Sequence, residues 1–257
     1  MQDFLVFTLA APMASFGALA VGERRPTDIR PTKSQILGLI ACALGIERSQ
    51  EEHQAALAAS LGFAVLVENP GLIASDYHTA VSPKEVSIRR RARTHGPIKT
   101  RSDELACDDR KTILSMREFR TGVLVTISLW SRGPAADLER IATALRAPHF
   151  TLFAGRKSFP LMLPCRPVVL SADTVEQALA AYAAGKSEAI KSLEAKLLSG
   201  RLPRAGLTRW LYADASAPLS GNRQRTEQRR DMPESRAKWR FGLRQEIVLA
   251  MPGGDER

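Results

Sequence analysis

The chain is poor in residues that staple or ligate. Its three cysteines, Cys42, Cys107 and Cys165, lie far apart among 257 residues, with no C-x-x-C pair. Neither a disulfide framework nor a zinc site is indicated, and a reduced, cytoplasmic setting is expected. No apolar run is long enough to span a bilayer, so no membrane partner is expected. Residues 4–11 are short and follow no basic stretch, unlike a secretory signal. No acidic cluster or ligand spacing supports a metal site or a metal-dependent nuclease, and no cofactor is expected. Internal repeats and low-complexity tracts are missing too. Negative charge is scarce: 27 Asp and Glu face 37 Lys and Arg, for a net charge of +10 and a pI near 10.0. With 44% hydrophobic and 25% charged residues the composition is otherwise that of an ordinary globular protein. The surplus favours a polyanionic partner, of which nucleic acid is the commonest.

What is present centres on residues 16–46, a basic loop feeding an apolar helix. Thr32 and Gln35 have capping-box spacing, with Pro31 just before the cap. Residues 36–44 are apolar on every face apart from Gly38, so the helix should be buried, and Gly45 is its expected stop. Arg24, Arg25 and Arg30 precede it and Lys33 opens its first turn. A helix N-terminus ringed by cations suits an anion. Solvated surface charge is the alternative reading of the same residues.

Residues 4–11 read as a strand apolar on both faces and ended by Pro12. A second helix is expected over 51–61 with Ser49 as cap, then a strand over 62–68 ended by Asn69-Pro70-Gly71. Residues 73–117 break the pattern. Periodicity fades, and residues 84–117 carry ten Lys or Arg against five Asp or Glu, a net of +5. Arg89, Arg90, Arg91 and Arg93 form one cluster, with Lys111 and Arg117 further on. This reads as a protruding hairpin or loop. Strand character returns over 119–130, Gly133-Pro134 turns the chain, and an amphipathic helix follows over 135–147. With a short strand at 150–153, the order is βαββαβ, that of a ferredoxin-like α+β domain over residues 1–170. The remainder, 171–257, reads as a small basic portion packed on the same core. It has helical patterning over 175–198, strands over 208–213 and 247–251, and a frayed tail at 252–257. Residues 201–244 hold eleven Lys or Arg and four Asp or Glu, a net of +7. Between the two portions, Gly155 permits a sharp turn, and Arg156, Lys157 and Ser158 can all donate to phosphate. The first glycine of a P-loop is missing there, so nucleotide hydrolysis is not expected.

Several stretches resemble one known family in its own order. They are F-L-V-F-T-L-A-A-P-M-A-S-F-G from Phe4, R-P-T-D-I-R-P-T-K-S from Arg25, and I-L-G-L-I-A-C-A-L-G-I from Ile36. D-Y-H-T from Asp76, T-I-L-S-M-R-E-F from Thr112 and G-R-K-S-F-P-L from Gly155 follow, with a looser R-R-D-M-P from Arg229. The set resembles the Cas-five-type (CasD) subunits of type I-E CRISPR Cascade complexes, in the RAMP superfamily. The resemblance implies a ferredoxin-like, RRM-like domain whose insertion at 73–117 is a thumb. It implies a non-catalytic, antiviral role: holding the 5′ handle of the CRISPR RNA and capping the backbone of a ribonucleoprotein. Implied partners are that RNA, Cas-seven-type backbone subunits, the large PAM-reading subunit and, through the complex, target DNA.

A handle is a short single strand, so it needs fixed phosphate ligands and pockets for splayed bases. Arg25, Lys33 and Ser34 are expected to take one phosphate turn and Arg156, Lys157 and Ser158 another. Phe16 either stacks on a base or sits in the core. Tyr77-His78 either anchors the insertion or performs acid–base work, since type I-C relatives cut precursor RNA without metal. No catalysis is expected here, because a separate subunit cuts in type I-E systems. Metal-independent endoribonuclease activity is the alternative function.

Overall fold

The computed structural model describes residues 1–133, 136–197, 208–221, 224–235 and 238–251. Its elements, in chain order, are β1 (Gln2–Ala14), β2 (Arg24–Arg25), α1 (Lys33–Leu44), α2 (Glu51–Ser60), β3 (Leu61–Asn69), β4 (Leu72–Pro83), α3 (Glu85–His95), α4 (Arg101–Leu105) and β5 (Arg110–Ser131). They continue with α5 (Leu138–Arg146), β6 (Val168–Ala172), α6 (Val175–Ala184), α7 (Glu188–Leu197), β7 (Arg209–Asp214), β8 (Arg225–Ser235) and β9 (Arg240–Met251).

Strand β1 is apolar on both sides because both sides are covered. Leu5, Phe7 and Leu9 pack with Ile40 of α1 and Ile141 of α5, while Phe4 and Val6 pack with Val175 and Leu179 of α6. One sheet runs through the molecule in the order β6-β1-β5-β3-β7-β9-β8, each neighbouring pair antiparallel. The last three strands therefore extend the sheet begun by the first part of the chain. Helix α1 begins and ends as its sequence demands. Thr32 and Gln35 form the capping box, and Gly45 closes the helix at φ 74°.

The insertion is a hairpin. Strand β4 pairs with the first half of β5, from Leu72 opposite Thr121 to Pro83 opposite Arg110, and the tip carries α3 and α4. Those two helices were not expected from the sequence. The arginine run lies on α3, where arginine favours helix; Arg89, Arg90 and Arg93 are exposed and Arg91 is half-buried.

Other expectations need correction. Pro12 does not end β1, which continues to Ala14. Strand β6 reaches only Val6 on that side of β1, so a residue without an N–H is tolerated beyond it. The fourth strand of the first part is β6, not residues 150–153, which form a loop with one isolated bridge from Phe153 to Pro160. Ser49 is not the cap of α2; Gln50 occupies that position without a side-chain bond. Helix α5 starts at Leu138 and is capped by Asp137. Residues 134–135 of the expected turn and helix start, and the tail at 252–257, lie outside the described residues.

Candidate nucleic-acid interface

The N-terminus of α1 already holds an anion, and it belongs to the chain. Asp231 of β8 accepts the Lys33 backbone N–H at 2.9 Å. The Lys33 ammonium points inward, fully buried, 2.8 Å from Asp214 and 2.9 Å from the Leu61 carbonyl. Burial lowers its pKa against the opposing pull of Asp214. Asp214 also accepts from the Phe63 N–H at 3.1 Å, from Arg132 at 2.6 Å and from Arg244 at 2.9 Å. Arg244 binds Asp231 and Glu246 as well. Arg30 is buried too, on Glu246 at 2.5 Å and Glu227 at 3.1 Å, with its guanidinium 3.6 Å from the centre of the Tyr212 ring.

This network corrects the expected site. Lys33 and Arg30 have no face to offer a phosphate, because strands β7 to β9 supply their counter-ions. Phe16 is a core aromatic, and Ser34 is largely buried with its hydroxyl 2.9 Å from that of Thr32.

The two turns nevertheless converge, through Gln35 rather than Lys33. The Gln35 amide donates to the Ser15 carbonyl at 3.1 Å, and the Ser15 N–H donates to Ala154 at 3.0 Å. Gly155 follows at φ 89°, where an added β-carbon would lie 1.9 Å from the Ser15 oxygen. Only glycine fits this approach. Arg156 leaves the turn and donates to the Glu118 carbonyl at 2.9 Å. It faces a cleft of about 380 Å³ whose rim includes Arg25, Gln35 and Arg117.

Arg25 of β2, Arg117 of β5 and Asp76 of β4 stand level across three strands, so they share a face. His78, opposite Ser115, lies on it too. Burial lowers the Arg156 pKa, and so does neighbouring Arg117, with Asp76 opposing. Arg25, Arg117 and Arg156 bond to carbonyl and hydroxyl oxygens. Among the described residues none of the three forms an ion pair. Arg24, by contrast, turns to the other face and pairs with Glu118 at 3.2 Å. Lys157 and Ser158 are exposed on the turn beyond Arg156.

The cations at the hairpin tip form a separate patch. Arg89 pairs with Glu85 and Arg90 with Asp108, while Arg91 and Arg93 form no ion pair among the described residues. Lys111 sits opposite Ser82 near the same end. It lies six positions along β5 from Arg117, roughly 20 Å at the usual rise.

The sequence reading missed one further strip. Trp239 and Arg240, at the turn into β9, border a shallow cleft of about 980 Å³ together with Arg230 and Gln35. Trp239 is exposed, adopts φ 51°, and stacks against the Arg48 guanidinium at 4.2 Å. It also edges an apolar pocket of about 400 Å³ containing Phe16, Leu39 and Leu152. An exposed aromatic held at positive φ beside arginines was a signal available only from coordinates.

A basic α+β protein with a long antiparallel sheet, and with arginines at the base of a hairpin that form no ion pair among the described residues, has the features of a nucleic-acid-binding class. Residues 4–247 match the family described as "CRISPR-associated protein (Cas_Cas5)". The chain belongs to this Cas5 family. It is 30% identical over 183 residues to the CRISPR system Cascade subunit CasD of Escherichia coli (strain K12), covering 71% of this chain and 78% of that protein. Its fold is similar to a chain of a CRISPR RNA-guided surveillance complex, with a TM-score of 0.59, 19% identity, and coverage of 97% and 90%. A crystal structure of a Cas protein is similar too, with a TM-score of 0.56, 22% identity, and coverage of 97% and 95%.

Proposed function

We propose that this chain is the Cas5 subunit of a type I-E Cascade surveillance complex, that it holds the 5′ handle of the CRISPR RNA, and that it caps the backbone of that assembly. On this reading strands β1, β3, β5 and β6 with helices α1 and α5 are a ferredoxin-like RAMP domain, the β4–β5 hairpin is the thumb, and residues 171–257 are a small C-terminal portion. Its partners are then the guide RNA, Cas-seven-type backbone subunits and the large PAM-reading subunit, with target DNA met through the complex.

The observation that carries the reading is the trio Arg25, Arg117 and Arg156. Three guanidiniums around one cleft, none in an ion pair among the described residues, repel one another more than nearby Asp76 offsets at Arg156, until an anion arrives. A phosphodiester supplies that charge and accepts bidentate hydrogen bonds. The rigid Gly155 turn fixes Arg156, so the ligand meets a preorganised site. Lys157 and Ser158 continue the contact along the strand, and the Trp239 strip offers a stacking surface for splayed bases.

The role is proposed as non-catalytic. Neighbouring residues on a strand point to opposite faces, so Tyr77 and His78 do not share one scissile site as acid and base.

The test is co-expression with the partner subunits and a repeat–spacer array. Arg117→Glu with Arg156→Glu is expected to strip the guide from the purified complex at moderate salt. Retention of full-length guide would overturn the assignment. Incubation with precursor repeat RNA tests catalysis, and cutting that vanishes in His78→Ala would establish the endoribonuclease instead.

A further inference from the structure

Strand β4 has an open side. It pairs with β5, and among the described residues no other strand pairs with it. Residues 72, 73 and 75–81 are exposed. Natural edge strands are usually blunted by lysine, proline or a bulge. Here the ladder runs from Leu72 to Pro83 without a register shift, and Asp76 is its one acidic or basic residue apart from His78. Arg101 donates to the Val81 carbonyl, which places Val81 among the residues whose amide groups turn away from β5. Alternation then turns Ile73, Ser75, Tyr77 and Thr79 outward as well.

The exposed sequence is self-complementary about Tyr77. Read antiparallel against itself, Ala74 meets Ala80, Ser75 meets Thr79, and Asp76 meets His78, while the Ile73–Val81 pair at each end forms only if Arg101 yields or shares the Val81 carbonyl. Each pair matches in size or sets a carboxylate against an imidazole that can donate to it, and Tyr77 meets its own copy on the two-fold axis. The hydrogen-bonding pattern requires outward residues to face outward residues, and this register sets odd against odd throughout. Among the described residues neither the Asp76 nor the His78 side chain forms a hydrogen bond or ion pair, and Asp76 acts on Arg156 only through its field, so both side chains can reach the other copy.

We propose that the free chain pairs with a second copy of itself through β4, edge to edge and antiparallel, centred on Tyr77. The interface is isologous: one patch serves both copies, and the Asp76–His78 contact occurs twice. It is small, so the association is weak and concentration-dependent. It covers backbone groups that otherwise template unspecific strand addition, and it does not depend on guide binding.

Sedimentation of the full chain, freed of nucleic acid, reads this directly up to about 0.3 mM, the weak end of specific association. A monomer–dimer equilibrium is expected. Thr79→Pro should weaken it at least ~10-fold while leaving the β5 ladder whole, because the lost N–H faces outward. Asp76→Lys should weaken it too, and Asp76→His combined with His78→Asp should restore it, since the pair is merely exchanged. Opposed hydrogen-bonded residues have Cα atoms ~5.5 Å apart, within disulfide range. In a Cys42→Ser background, Tyr77→Cys should therefore cross-link into covalent dimers on oxidation, and Ser75→Cys should not. A monomer throughout the range, a dimer indifferent to Thr79→Pro, or equal cross-linking at 75 and 77 would each overturn the proposal. Unchanged melting of the variants separates these outcomes from misfolding.

Discussion

Lys33 and Asp214 stand 181 positions apart in the chain, yet their charged atoms meet at 2.8 Å with almost no solvent on either side. The pair ties the start of α1 to strand β7. Asp214 is shared with Arg132 and Arg244, so the two partners are not equivalent. Asp214→Asn leaves buried cations short of their counter-ion and should cost about 3–5 kcal/mol. Lys33→Met keeps the volume and leaves Asp214 with two guanidiniums, so its cost should be smaller. Denaturant unfolding of the two variants checks the order. Lys33→Met should also leave RNA affinity intact once folded; a loss would return Lys33 to the binding surface.

That pairing also shows where sequence reading stops. Helix α1 was legible because its signals are local: Thr32 and Gln35 three apart, Gly45 after the last apolar turn. The direction of the Lys33 side chain was not, because Asp214 and Asp231 lie near the far end of the chain and nothing local marks them as partners. The fourth strand was misplaced for a related reason. Residues 150–153 look as apolar as 168–172, and only pairing with Gln2–Val6 distinguishes the second. The arginine run at 89–93 was visible as charge but not as helix, since the charged stretch carries no apolar stripe. The convergence of the Gly155 turn with the start of α1 was legible, though through Gln35 and Ser15 rather than through the cation expected to make it.

Cys165 gives a pH dependence with a definite sign. Burial raises its thiol from the ordinary 9.0 to about 12. The folded chain therefore keeps this proton while the unfolded chain loses it, so stability falls as pH rises from about 9 towards 12, by at most ~1.4 kcal/mol per pH unit. Below pH 9 the group contributes no slope. Comparing the pH profiles of the chain and Cys165→Ala isolates the effect, which should appear on the alkaline side alone. A thiol reagent at pH 8 should label Cys42, which is partly exposed, before the buried Cys107 and Cys165. Equal labelling rates for the three would contradict the burial.

Gly155 makes a test of preorganisation. Alanine there takes on a left-handed backbone and a β-carbon 1.9 Å from the Ser15 carbonyl oxygen, so either the turn or the Ser15 strand end must move. A cost of about 1–3 kcal/mol is expected, in the range of backbone strain at such positions. Because Arg156 is aimed by this turn, Gly155→Ala should weaken RNA binding beyond its effect on folding. Measured well below the melting temperature, binding equal to the native chain would mean that Arg156 reaches its ligand without the turn's help.

The arginine trio makes the sharpest prediction, because charge neutralisation has a characteristic salt signature. Each phosphate contact on a single strand contributes about −0.7 to the slope of log affinity against log salt. Arg25→Ala, Arg117→Ala and Arg156→Ala should therefore each flatten the slope by up to that amount, with a similar loss for any sequence offered. Arg24→Ala is the matched control: its guanidinium is engaged with Glu118 on the other face, so its slope should stay close to native. Arg91→Ala with Arg93→Ala tests reach. The tip lies roughly 20 Å beyond Arg117 at the usual strand rise, so a short RNA filling the cleft should not register the change. An RNA long enough to follow the hairpin should. If the short RNA lost as much from the tip variant as from Arg117→Ala, the bound strand would run along the hairpin rather than across its base, and the cleft would not be the primary phosphate site.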